Sequence, residues 1–78
     1  MTTPLTDQDR AVLRFARTRW LHDGARDTAI RDLFGLSTVR YDQWLNALLD
    51  NPAAYVEQPV LVNRLRRLRD VRRARRTG

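Results

Sequence analysis

The chain has 78 residues with no cysteine, one histidine and three glycines, so disulfides, thiol catalysis and thiolate-ligated zinc are excluded. Its single serine, Ser37, has no neighbouring base, and the glycines form no phosphate-cradling loop; neither an enzyme nor a cofactor or metal site is expected. All fifteen basic residues are arginine and stand against nine acids, for a net charge of +6, which suits an anionic partner such as nucleic acid or an acidic membrane surface.

The first predicted element is a helix over about 7–22. Thr6 is placed as its N-cap, Asp9 three residues on as a short capping-box partner, and Asp7 in the first turn. Val12, Leu13, Ala16 and Trp20 then share one arc of about 100°. Gly24 is read as the stop, and His22 as a solvated charge partner of the helix C-terminus. A second helix is expected over about 25–34, with Ala29, Ile30, Leu33 and Phe34 on one face. Gly35 ends it, because glycine enters the left-handed region without steric penalty.

Ser37 suits the N-cap of a third helix that runs to about Leu49, where Asn51 and Pro52 stop it. Tyr41, Trp44, Leu45 and Leu48 face inward; Val39, Arg40, Asp42, Gln43 and Asn46 face out. Residues 51–58 read as a linker with a helical turn at Ala53, Ala54 and Tyr55. Pro59 fits the first turn of a fourth helix, on which Leu61, Leu65 and Leu68 recur with Val62 beside them. Beyond Asp70 the arginine-rich end is expected to fray, since like charges repel.

The expected fold is therefore all-α: a three-helix helix-turn-helix core with its linker over 1–58, then an arginine-rich helix and tail over 59–78. Trp20, Ile30, Phe34, Leu36, Tyr41, Trp44 and Leu48 are expected to share the core. Charge divides along the same line. Residues 1–59 hold seven arginines and eight acids, whereas residues 60–78 hold eight arginines and Asp70, giving −1 and +7. No apolar run of about 18 residues is present to span a membrane, and the N-terminus lacks the charged lead and apolar run of an export signal; a cytoplasmic, nucleoid location is expected.

The segment Ala29-Ile30-Arg31-Asp32-Leu33-Phe34-Gly35-Leu36-Ser37 resembles the general helix-turn-helix pattern, with glycine in the turn and an apolar residue beside it. It departs at Arg31, where that pattern has a packed alanine, which implies an arginine snorkelling outward. A wider likeness runs through Phe34-Gly35-Leu36-Ser37, Arg40-Tyr41, Leu45 to Asp50, Pro52-Ala53-Ala54, Pro59, Leu61-Val62 and Arg64 to Arg69. These residues resemble a family of short actinobacterial proteins of uncharacterised function, usually described as sigma-factor-like or helix-turn-helix. The resemblance implies a DNA-binding fold.

On this reading the third helix enters the major groove, with Ser37, Thr38, Val39, Arg40, Gln43 and Asn46 nearest the bases or flanking phosphates. Arg64, Arg66, Arg67, Arg69, Arg72, Arg73, Arg75 and Arg76 supply phosphate attraction. The expected role is that of a transcriptional regulator or nucleoid-associated factor on duplex DNA. Two rivals stay open: a module that lays Leu61, Leu65 and Leu68 on RNA polymerase or a sigma factor, and an arginine-rich RNA binder. The leucine stripe either joins two copies into a homodimer or closes the chain's own core.

Overall fold

A computed structural model of the chain describes residues 4–77, with side chains described through Arg75. Five helices follow in order: α1 (Asp7–Ala16), α2 (Asp23–Phe34), α3 (Thr38–Leu49), α4 (Pro52–Glu57) and α5 (Pro59–Thr77). The expected all-helical class holds, with one helix more than the four read from the sequence.

Local chemistry accounts for most of the boundaries. Thr6 and Asp9 form a reciprocal capping box: the Asp9 N–H donates to Thr6 Oγ1 at 3.0 Å and the Thr6 N–H donates to Asp9 Oδ2 at 2.9 Å. α1 stops at Ala16, six residues short of the expected end. The Arg17 and Thr18 N–H groups turn back to the Arg14 and Phe15 carbonyls at 3.2 and 3.1 Å, tightening the final turn. Release from the helix lets Trp20 fold back and stack on Phe15, with ring centroids 5.5 Å apart. A continuous helix would set these two side chains about 140° apart around the axis.

Gly24 is consequently not a stop. It lies in the first turn of α2 behind Asp23, whose charge suits the positive end of the helix. His22 sits at the N-cap of α2, not at the C-terminus of α1, and makes no side-chain capping bond. The next boundary matches the expectation: Gly35 adopts φ 66° and ψ 24°, and its N–H closes on the Arg31 carbonyl at 2.9 Å. Ser37 caps α3 through a 3.3 Å bond from the Arg40 N–H. Asn51 caps α4 by accepting from the Ala53 N–H at 2.9 Å, with Pro52 in the first turn. The presumed linker is thus a six-residue helix.

α3 is the central element, in contact with each of the other four helices. Val12, Leu13, Ile30, Ala54, Leu61 and Val62 are buried together with its own Tyr41, Leu48 and Leu49, and Leu5 ahead of α1 is buried with them. Phe15, Phe34 and Tyr41 form a ring cluster with centroids 5.3–5.7 Å apart, an arrangement that adds about 0.5–1.5 kcal/mol per pair beyond area burial. The Tyr41 hydroxyl donates to the Val12 carbonyl at 2.8 Å. Burial pushes the phenol well above its usual range, so it stays a donor.

One expected core residue, Trp20, and two residues of the apolar stripes, Leu33 and Leu68, lie largely outside the core. Trp20 is 36% exposed and Leu33 67% exposed; the four-residue stripe of α2 is wider than its contact with the bundle, which Ile30 and Phe34 fill. Leu68 is 49% exposed, whereas Val62 is fully buried. α5 packs on α4 and α3 mainly through its opening turns, so its leucine stripe enters the core at Leu61, is half-buried at Leu65 and leaves it by Leu68. The helix continues to Thr77 where fraying was expected. Among the described residues no helix is long and apolar enough to cross a membrane.

Candidate functional site

The polar face of α3 is built by what packs behind it. Tyr41, Leu48 and Leu49 are buried, and Trp44 is held by its indole N–H, which donates to Asp9 Oδ1 at 2.8 Å. That anchorage leaves Val39, Arg40, Gln43 and Asn46 exposed. Ser37 spends its hydroxyl on the cap, and Thr38 donates to Asp27 Oδ1 at 2.6 Å. Asp42 is tied to Arg26 Nη2 at 2.8 Å, while the Arg26 guanidinium lies 5.4 Å from the centre of the Tyr41 ring. α2 therefore holds the opening turn of α3 through two side-chain bonds.

The arginines of α5 do not act as one group. The Arg66 Nε–H donates to the Leu49 carbonyl at 2.6 Å, and its guanidinium lies 5.7 Å from the Tyr55 ring centre. It satisfies a carbonyl at the end of α3 that has no partner within that helix. Arg69 is mostly buried and reaches Asp50 Oδ1 at 3.2 Å, with Asp70 Oδ1 4.0 Å from its Nε. Its Nε and Nη1 are buried without a hydrogen-bond partner among the described residues. Arg64, Arg67, Arg72, Arg73 and Arg75 are exposed. The Arg76 side chain lies outside those described.

A trough of about 920 Å³ brings the two sets together. Val39, Gln43 and Asn46 of α3 line it on one side, and Arg64, Arg69, Arg72 and Arg73 of α5 on the other. Its apolar lining includes Phe15, Trp20, Leu45, Leu49, Leu65 and Leu68. Ser37, Thr38, Arg40, Arg66, Arg67 and Arg75 are not among its lining residues. Arg19, Trp20 and Arg26 line the trough although the sequence reading assigned them no such role. The exposed turn after α1 that carries Trp20 was hidden by an apolar periodicity that looked continuous.

Charge between α1 and its neighbouring helices is structural. Arg10 clasps Glu57, with Nε 3.1 Å from Oε2 and Nη2 2.9 Å from Oε1. That clasp joins α1 to α4 and holds the Glu57 carboxyl below its usual range. Burial raises the Asp9 carboxyl's proton affinity, but bonds from Thr6 and Trp44, with the Arg10 charge, outweigh it and leave the group below its ordinary value. No cluster of three or more histidine, cysteine or acidic residues arranged to hold a metal occurs among the described residues.

A family model described as a protein of unknown function (DUF3263) matches residues 4–77. The chain belongs to that family, and the match takes in both the α2–α3 pair and α5. No curated protein and no solved structure matches the chain.

Proposed function

We propose that the protein binds duplex DNA through α3, with α2, the Gly35 turn and α3 serving as a helix-turn-helix unit. The observation that carries this reading is the division of α3 itself. One face is locked by Tyr41, Trp44 and Leu48, while the other presents Val39, Arg40, Gln43 and Asn46 to solvent. A rigid back and a mixed polar front are what a helix needs to hold side chains against base edges in the major groove. Gln43 has the donor–acceptor pair that adenine accepts, and Val39 a methyl surface for thymine.

The arginines support the same reading in a narrower form than the sequence suggested. Arg64, Arg67, Arg72 and Arg75 are the exposed α5 side chains that would meet phosphate; Arg66 and Arg69 are engaged within the fold. The opening turn of α3 contains no acid of its own, although Asp27 of α2 sets a carboxylate 2.6 Å from the Thr38 hydroxyl at that end. The role that follows is that of a transcriptional regulator or nucleoid-associated factor.

The test is a titration of a fluorescently labelled duplex by the full chain at several salt concentrations, with an RNA of matched sequence in parallel. The reading expects saturable duplex binding that weakens steeply with salt, with a log–log slope of about −0.9 per phosphate contacted, and preference for the duplex over the RNA. Absence of duplex binding at low salt, or preference for the RNA, would remove it.

A further inference from the structure

We propose that the trough between α3 and α5 is a docking site for an acidic amphipathic helix of a protein partner. The trough has two components that a single occupant must match. Arg19, Arg26, Arg64, Arg69, Arg72 and Arg73 line it against Asp23 and Asp42; Arg26 is paired with Asp42 and Arg69 with Asp50, so an occupant's carboxylates meet chiefly Arg19, Arg64 and Arg72. Between these charges, Leu65 and Leu68 of α5 lie across from Trp20, Leu45 and Leu49. Leu68 and Trp20 retain substantial exposure, at 49% and 36%. Carboxylates answer the arginines and an apolar stripe answers the leucines; an amphipathic helix with glutamate or aspartate flanking its apolar face carries both.

The dimensions fit that occupant. The α5 residues that line the trough run from Arg64 to Arg73, which at 1.5 Å per residue is about 14 Å, or two and a half helical turns. Anchors at i, i+4 and i+7 cover that length.

The charge also argues against other occupants. A second copy offers as its long partly uncovered helix only α5, whose segment carries +7 and meets an arginine lining. A single nucleic-acid strand needs aromatic faces on which bases stack. The two aromatic residues of the lining, Phe15 and Trp20, stack on each other, and the rest of the apolar lining is aliphatic. The trough shares Val39, Gln43, Asn46, Arg64 and Arg72 with the surface assigned to duplex DNA, so the two occupants exclude one another, and a titration without DNA tests the trough alone.

The experiment titrates the full chain, without DNA, into a fluorescein-labelled designed peptide of about 18 residues, long enough to hold a helix when stapled. The peptide carries leucine along one stripe and glutamate beside it. Three controls accompany it: the same residues scrambled, a lysine-for-glutamate version, and a short single-stranded DNA. The acidic amphipathic peptide should bind saturably and the lysine version should not. The scrambled peptide should bind at least about tenfold more weakly, a difference of about 1.4 kcal/mol. Leu68→Asp and Arg72→Glu should each weaken binding by about tenfold or more, with circular dichroism unchanged because both side chains are exposed. Arg31→Glu, the same charge change on α2 away from the trough, should leave binding near wild type.

Equal binding of the scrambled peptide, or insensitivity to Leu68→Asp, would reduce the site to general charge attraction and overturn the proposal. So would no binding, or tighter binding of the single-stranded DNA. A dimer in sedimentation that Leu68→Asp dissociates would assign the trough to a second copy instead.

Discussion

The segment before Pro59 and the helix that begins there solve different physical problems with the same few residue types. In α1–α4, charges are spent on structure: Asp9 on Thr6 and Trp44, Glu57 on Arg10, Asp42 on Arg26, Asp27 on Thr38. The segment is close to neutral, and it holds most of the buried side chains, with Leu61 and Val62 of α5 completing the core. In α5, two opening turns enter that core and the remainder carries an arginine excess with little to neutralise it. The comparison teaches that arginine count and arginine availability differ. Arg66 and Arg69 fasten α5 to the end of α3, whereas Arg64, Arg67, Arg72 and Arg75 are left at the surface.

The largest expected effect lies in the body. Tyr41→Ala removes the most deeply placed ring and the bond to the Val12 carbonyl, and should cost about 3–5 kcal/mol, the range for large aromatic truncations. Chemical denaturation should find a sharply lowered midpoint, since that loss is a large share of the about 5–15 kcal/mol that a domain holds in all. A stable Tyr41→Ala would break the division between a locked and an open face of α3.

Within α5 the two classes of arginine can be separated directly. Arg66→Ala should destabilise by about 1–3 kcal/mol, because it leaves the Leu49 carbonyl without its donor. Arg67→Ala, on an exposed side chain, should stay within about 0.5 kcal/mol of wild type while weakening duplex binding. Equal stabilities for the two variants would mean that the arginine run is one undifferentiated surface.

Acid sharpens the same contrast. The folded-state value of Asp9 lies below its ordinary 3.8, so the folded form binds that proton less readily than the unfolded chain. Its contribution is fully present above the ordinary value and is lost as pH falls through the lower folded value. Denaturation midpoints followed through this window should drop less for Asp9→Asn than for wild type, since the variant has no proton to gain there. Equal drops would remove Asp9 as a pH-dependent link between the α1 cap and Trp44.

Much of this was legible in the sequence, and the reason is locality. Thr6 with Asp9, Gly35, Ser37, Asn51-Pro52 and Pro59 are short-range signals, and each marks a boundary in the structure. The inward residues Tyr41 and Leu48 followed from periodicity. What stayed hidden depends on partners far along the chain. The apolar spacing from Val12 to Trp20 suits a continuous helix, yet Trp20 gains a stacking partner by leaving it. Leu33 and Leu68 keep helical spacing although nothing covers them fully. Similarly, an arginine run cannot show which members reach a carbonyl or carboxylate, and the trough exists only because α5 returns alongside α3. The site residues divide accordingly: Val39, Gln43 and Asn46 share a trough with Arg64, Arg69, Arg72 and Arg73, while Ser37, Thr38, Arg40 and Arg67 are absent from its lining.

The central claim is that α3 reads sequence while the exposed arginines of α5 supply attraction. The most direct measurement is competition between selected genomic fragments and shuffled duplexes of equal length, repeated across salt for wild type, Gln43→Ala and a chain lacking residues 72–78. The account predicts that Gln43→Ala lowers the preference for selected fragments by about 1–3 kcal/mol and leaves the salt slope unchanged. Loss of residues 72–78 removes four arginines and should flatten the slope by up to about 3.6, weakening selected and shuffled duplexes alike. If wild type shows less than about a tenfold preference, far below the usual specific range, or if Gln43→Ala and the truncation act in the same way, the assignment of reading to α3 and attraction to α5 is contradicted.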